Sequence, residues 1–387
     1  MPNQKQTAYN NSCVTPIYQN TVYFFENTEQ VIQYHENEIN VGRYGRYDNP
    51  NWLEVEKKIA ALDNYQNALI FSSGMNAIVT TVLTFVQPKD RLIYTGKCYR
   101  NVMNFFKSVL PKLAIEVISV DSADTPQCFH EKFEAQYREN TKIVFIEAPS
   151  NPHLYLVDLE RLKSQIDQNT LLIVDSTLST PFNCKPQHFG ADLVIHSCSK
   201  YLGGHGDILA GSVSGSIELI EEIRNYRNMM GGVVAPHGAF LLNRSLESFE
   251  IRMKHFNQAG MEVAQYLQNS PLVEKVFYTG LDSHPHVDLA QKYLTGHGGV
   301  VSFEIKANQQ STSRFVDTLT IPFMGSNFGS NHPMVEQCSI FTYYKLSAKE
   351  RQQLGITDNL VRLSVGYGET GMLIEDIDRA LQETCRV

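Results

Sequence analysis

Short apolar runs punctuate the first half of the chain, at 68–71, 92–94, 115–120, 143–146, 171–174 and 193–195. Each has the length of a strand. A strand buried on both faces reads as a continuous apolar run rather than an alternating one. Helical spacing fills several of the gaps. After Asn49-Pro50, residues Trp52, Val55, Ile59 and Leu62 recur at 3-4-3 spacing. Met75, Ile78, Val79, Val82, Leu83 and Val86 make a second stripe, and 159–166 gives a further helix. Strands alternating with helices predict an α/β fold, a mostly parallel sheet covered on both faces.

The pattern changes near residue 249. A helix is predicted over 253–267, strands over 298–305 and 360–365, and a final amphipathic helix through Leu373, Ile374, Ile377 and Leu381. That is an α+β pattern. Residues 1–48 are rich in Asn, Gln and Tyr and show no period. We therefore expect an N-terminal arm (1–48), a large domain (49–248) and a smaller C-terminal domain (249–387). The length, 387 residues, exceeds what one core normally serves.

Composition narrows the function classes. Apolar residues are 42% and charged residues 19%, which suits a packed globular chain. The net charge is −8 and no Lys/Arg run interrupts it, so nothing electrostatic favours nucleic acid or an anionic membrane. No apolar stretch reaches the roughly 18 residues of a membrane span. Residues 1–20 are polar and carry no signal-peptide core. The expected location is the cytoplasm. Seven scattered cysteines without a C-x-x-C pair predict reduced thiols, not a disulfide framework or a zinc site. No metal is expected. Gly204-His205-Gly206 lacks the later glycine of a dinucleotide fingerprint, and Val213 stands where a nucleophile elbow needs serine. His284-Pro285-His286 reads as a surface turn.

Three features sit where predicted strands end, the edge at which open α/β sheets bind ligands. Ser72-Ser73-Gly74-Met75 leads from strand to helix. It is either a tight turn or an anion cradle at a helix N-terminus. Leu171-Leu172-Ile173-Val174-Asp175 ends an apolar strand with a carboxylate. Burial demands a partner for it: a helix cap, an ion pair or a bound cation. Asp192 to Lys200 delivers Ser197, Ser199 and Lys200 into a Gly-rich loop. Ser197 and Ser199 alternate, so an extended backbone would point both to one side. Lys200 is a solvated residue, a phosphate contact or a Schiff-base amine. Together, cradle, carboxylate and lysine are what pyridoxal 5′-phosphate (PLP) needs. A carboxylate about 4 Å from its ring nitrogen contributes on the order of 4 kcal/mol at an effective dielectric near 20. Lys200, desolvated beside cations, is expected to have a depressed pKa.

The stretch Ala191-Asp192-Leu193-Val194-Ile195-His196-Ser197-Cys198-Ser199-Lys200-Tyr201-Leu202-Gly203-Gly204-His205 resembles the cofactor-lysine signature of the Cys/Met-metabolism PLP-dependent enzymes. The likeness runs from Thr15 to the final helix. It implies a PLP-dependent transferase-like large domain, with Lys200 carrying the cofactor as a Schiff base. Asp175 would pair with the ring nitrogen. Ser73, Gly74, Met75, Ser197 and Ser199 would hold the phosphate, with Thr177 also at the cofactor. Tyr44 and Arg46 match a Tyr-x-Arg that reaches a neighbouring subunit's phosphate, which implies a homo-oligomer, a dimer at least and usually a dimer of dimers. Tyr99 matches the tyrosine that stacks on the ring and serves as acid or base. Asn151 matches an asparagine near the cofactor's phenolic oxygen, and Arg362 the arginine that grips the substrate carboxylate.

Departures cluster on the substrate side. Arg100-Asn101-Val102 replaces two small residues and a threonine, and Ser326-Asn327-Phe328 opens a shortened loop, making Ser326 and Asn327 candidate substrate contacts. The implied chemistry is γ-elimination or γ-replacement on an amino acid. Met229-Met230-Gly231-Gly232 through Pro236-His237 is similar to methionine γ-lyases and tips the reading toward elimination. A non-catalytic scaffold that kept the fold is the remaining alternative; Lys200, Tyr99 and Arg362 argue against it.

Overall fold

The structure is a computed structural model and describes residues 12–36, 42–122 and 125–385. Parts of the expected arm, 1–11 and 37–41, lie outside the described residues. The first sheet has seven strands: β1 (Asn67–Phe71), β2 (Arg91–Thr95), β3 (Glu116–Val120), β4 (Thr141–Glu147), β5 (Leu171–Asp175), β6 (Leu193–His196) and β7 (Gly211–Gly215). Their spatial order is β1-β7-β6-β5-β4-β2-β3. All the predicted runs form strands of this sheet. β7 was not predicted. It pairs antiparallel to both β1 and β6, so one strand runs against six.

The central runs are buried because helices cover both faces, while β3, at the sheet's edge, keeps Glu116 and Ser119 exposed. Ile143, Phe145, Ile173 and Ile195 pack on one face with Ile78, Val82 and Phe106. Their alternates Val144, Ile146, Leu172, Val174 and Val194 pack on the other with Phe129, Phe133 and Leu162. The predicted helix after Asn49 spans Pro50–Asp63. Asn49 caps it by accepting from the Asn51 N–H, and Pro50 sits where its missing N–H costs nothing. Asn64, left-handed at φ 62°, ends it.

A second sheet follows: β8 (Val273–Phe277), β9 (Val300–Ile305), β10 (Phe323–Met324), β11 (Met334–Gln337) and β12 (Leu360–Ser364), in the order β10-β11-β12-β9-β8. Helices Phe249–Asn269 and Thr370–Cys385 pack on it through Met253, Phe256, Val263, Ile377 and Leu381. The segment before residue 49 is thinly held. Its helix Thr28–His35 buries nothing, Phe24 is 90% exposed, and Asn51 ties the chain back through Tyr18 N–H and Pro16 O.

The turn at His284-Pro285-His286 is not a surface turn: both histidines are 2% exposed. His286 Nδ1 lies 2.8 Å from Leu156 O and 3.0 Å from Leu156 N, and His284 Nδ1 accepts from the His286 N–H. These side chains serve as backbone hydrogen-bond partners between the two sheets' connecting segments, which is why polar rings stand inside. Among the described residues no helix is long and apolar enough to cross a membrane, and no cluster of three or more metal-ligand side chains occurs.

Candidate active site

The parallel strands deliver their carboxyl ends to one edge, and a cavity of about 440 Å³ opens there. Ser73, Gly74 and Met75 enter it from the turn after β1, and Tyr99 from beyond β2. Asn151 follows β4; Asp175 and Thr177 come from the end of β5; Ser197, Ser199 and Lys200 follow β6. Ser326 and Arg362 close it from the second sheet. Tyr44 and Arg46 are not among its walls. Arg46 donates instead to Asn228 O, with its guanidinium 4.8 Å from the centre of the Tyr47 ring.

The Ser73 turn is shaped as an anion cradle. Ser73 is extended and caps helix Gly74–Phe85 by accepting from the Asn76 N–H at 3.1 Å. The N–H groups of Gly74 and Met75 open the helix and have no acceptor within it. A Cβ on Gly74 would stand 2.9 Å from Ser197 Cβ, so glycine is what lets this turn and the β6 loop close on one another. Ser197 N–H donates to Thr177 Oγ1 at 2.8 Å, and the Thr177 hydroxyl donates to Asp175 Oδ1 at 2.6 Å. Thr177 thereby links the cradle to the carboxylate.

Ser197 and Ser199 do not alternate along an extended backbone as the sequence predicts. β6 ends at His196, and residues 198–200 form a turn rather than an extended run. Both serines still line the cavity. The Ser199 hydroxyl is engaged with the Ala210 backbone, accepting from its N–H at 3.0 Å and donating to its O at 3.2 Å. It must rotate to serve an anion.

Lys200 Nζ donates to Asn327 Oδ1 at 2.6 Å and stands 4.9 Å from the centre of the Phe328 ring. Burial, and then the charge of Arg362, lower its pKa to about 8. Asp175 is buried and its pKa is raised by that burial, against the Thr177 hydrogen bonds that lower it. A cation beside it would restore the ionised form. Arg362, 3% exposed on β12, donates to Asn151 Oδ1 and to Ser326 O, each at 2.9 Å. Its charge is matched by Glu336, directly across on β11, at 3.0 Å.

Two carboxylates at the site escaped the sequence reading. Glu336 is one. The other is Glu147, at the end of β4 and directly beside Asp175 in the sheet register. It accepts from Tyr99 N–H at 2.7 Å and from Asn151 N–H at 2.8 Å. Burial and Asp175 push its pKa up. The signal was available: Ile143-Val144-Phe145-Ile146-Glu147 ends an apolar run with an acid, as the Asp175 strand does.

These residues fit PLP. The cradle can take a phosphate, Asp175 a protonated ring nitrogen, and the neutral amine of Lys200 an aldehyde. Fold and site define a lysine-anchored cofactor enzyme of the α/β class. The profile of the Cys/Met metabolism PLP-dependent enzymes matches residues 1–382. Cystathionine gamma-synthase 1, chloroplastic, of Arabidopsis thaliana is 39% identical over 371 residues, 95% of this chain and 65% of its own. The chain thus spans just under two thirds of that relative. L-methionine gamma-lyase of Fusobacterium nucleatum subsp. nucleatum is 34% identical over 372 residues, 95% of this chain and 93% of its own. Cystathionine gamma-lyase of Bos taurus is 34% identical over 343 residues, 88% and 83% respectively. The chain belongs to the Cys/Met metabolism PLP-dependent enzyme family.

Proposed function

We propose that the protein cleaves the bond between Cγ and a heteroatom of an amino acid, by γ-elimination, with γ-replacement as the second reading. The observation that carries this is one cavity holding a buried amine of lowered pKa, a paired arginine and a tyrosine: Lys200, Arg362 and Tyr99. Lys200 holds the cofactor's aldehyde and Asp175 its ring nitrogen. Ser73, Gly74, Met75 and Ser197 hold its phosphate, with Ser199 and Thr177 beside it. PLP, when bound, supplies a protonated ring that accepts the electron pair released at Cα. Every other step belongs to side chains. Arg362, aimed by Asn151, grips the substrate carboxylate in a planar fork. Lys200, once freed, would take the Cα proton, return it to the cofactor side of the bound substrate and, neutral again, take a Cβ proton. Tyr99 stacks on the ring and gives a proton to the departing group. Ser326 and Asn327 border the substrate.

Water at the end of this sequence yields a 2-oxo acid and ammonia. A thiol nucleophile instead yields a new side chain. The identity to a plant cystathionine gamma-synthase favours that second outcome, and the methionine gamma-lyase relatives the first. Purified protein given methionine, cystathionine or an O-acyl homoserine separates them. Oxo acid formed without added thiol supports elimination; product formed only with thiol supports replacement; neither product overturns both.

The same reading makes the active unit a homo-oligomer, a dimer of dimers. Tyr44 and Arg46 stand away from their own chain's cavity walls, which suits a role in a neighbour's. Cytoplasmic location belongs to it as well, supported by four buried free thiols, Cys98, Cys184, Cys198 and Cys338, which suit a reducing compartment.

A further inference from the structure

Arg362 lines the cavity, yet its charge is balanced from behind. Glu336 is 1% exposed and is not among the cavity walls. Its Oε1 lies 3.0 Å from Arg362 Nη2, and its Oε2 accepts from the Thr342 hydroxyl at 2.7 Å. Both carboxylate oxygens are thus engaged. The register of β11 on β12 sets Glu336 directly across from Arg362, so backbone pairing fixes the contact.

A buried arginine that waits alone for an anion carries a heavy desolvation cost. Glu336 removes that cost, and with it part of the attraction. A carboxylate arriving from the cavity becomes the second anion on one guanidinium, repelled by the first. What Arg362 still offers is direction. Nη1 and Nη2 are aimed by Asn151 Oδ1 and Ser326 O, each at 2.9 Å. An uncharged carbonyl oxygen can accept from such N–H groups as a carboxylate does.

Resting on the assignment of Arg362 to the carboxyl end of the substrate, we propose that Glu336 determines specificity through that arginine. By neutralising Arg362 from behind, it lets the site read the carboxyl group by hydrogen-bond direction rather than by charge. Amino compounds whose carboxyl is uncharged, amides above all, are then bound along with free amino acids.

Glycine and glycinamide differ at the carboxyl group, one charged and one neutral. Each is titrated into the PLP-loaded protein and followed by the cofactor's absorbance. In Glu336→Gln the ratio of Kd, glycinamide over glycine, should rise roughly 10- to 100-fold above the wild-type ratio, the scale of one nearby charge at an effective dielectric near 20. Glu336→Asp keeps the charge and should keep the ratio near that of the wild type. The glutamine variant should also take up PLP, in its cofactor-free form, with a half-point at lower pH. Arg362 and Glu336 are the two charges acting on the Lys200 amine, and the one that supports its ammonium form is then gone. Because an unpaired buried arginine can unfold that variant, a second measurement uses the wild type alone: acetate should displace glycine little better than neutral acetamide does. Strong competition by acetate, or a ratio unchanged in Glu336→Gln wherever the PLP half-point falls, overturns the inference alone and leaves Glu336 a support for the strand pair. A wild type that takes up PLP but binds neither ligand overturns the assignment of Arg362 and this inference together.

Discussion

At the residue scale, the site depends on where charge is buried. Lys200 has a pKa of about 8 because burial and Arg362 disfavour its ammonium form. The sign is that of a depressed base: the folded protein keeps the amine neutral above about pH 8, where a free lysine stays charged. Only the neutral amine attacks an aldehyde. In the cofactor-free protein the rate of PLP uptake, followed by absorbance, should rise with pH, be half-maximal near 8 and then level off. A rate still climbing through pH 10 would show an unshifted lysine. Glu147 makes a sharper case. Its two oxygens accept from the N–H groups of Tyr99 and Asn151, which approach from different loops. Glutamine has one acceptor and one donor end, so Glu147→Gln leaves one N–H facing a donor. We expect a loss of about 1–3 kcal/mol in transition-state stabilisation, read as a fall in kcat/KM with bound PLP retained. Full activity in that variant would remove Glu147 from the positioning of Tyr99 and Asn151. Asp175 was legible because it ends an otherwise apolar strand, and Lys200 because it follows one within a Ser- and Gly-rich turn. Glu336 was not. Its need for a partner comes from Arg362, more than twenty residues later in the chain, and only strand pairing brings them together.

At the element scale, short apolar runs announced β1 to β6 and composition concealed β7. Gly211-Ser212-Val213-Ser214-Gly215 holds one large apolar residue, yet all five positions are buried. The reason is space. A Cβ on Gly211 would stand 2.4 Å from Ser73 O and 2.7 Å from Gly74 Cα, backbone that cannot swing aside. β7 must be slender because the Ser73–Gly74 turn passes over it. Gly211→Ala should therefore act on both fold and function. Overpacking against backbone costs about 1–3 kcal/mol in denaturant unfolding. The displaced Ser73–Gly74 turn should also weaken PLP binding, measured by titration of the cofactor-free protein. Unfolding loss with unaltered PLP affinity would mean the cradle does not rest on β7. The second sheet was read only in part for a related reason. β8, Val273-Glu274-Lys275-Val276-Phe277, lies at an edge with Glu274 and Lys275 exposed, so its apolar signal is diluted.

At the scale of the whole molecule, the arrangement of Tyr44 and Arg46 bears on assembly. Within one chain they do not wall the cavity, and the segment that carries them presents Val22, Phe24 and Ile32 to solvent. On the proposed reading, an arm with that surface lies on a second copy, where its Tyr-x-Arg would meet the cofactor's phosphate. The consequence is arithmetic. Take two variants, Lys200→Ala and Arg46→Ala, each inactive or nearly so. In a hybrid pair, one site keeps its own Lys200 and receives Arg46 from the other chain, while the second site lacks both. Random exchange of equal amounts makes half the pairs hybrid, with one working site in two. Activity should return to about a quarter of the wild-type level after the mixed chains are dissociated and reassembled, if binding of both groups is independent. Arg46 acting within its own chain predicts otherwise: every site then keeps one lesion, and the mixture stays as inactive as its parts. The readout is turnover per cavity, so a general loss of folding in either variant is seen beforehand in its unfolding curve and does not imitate either result.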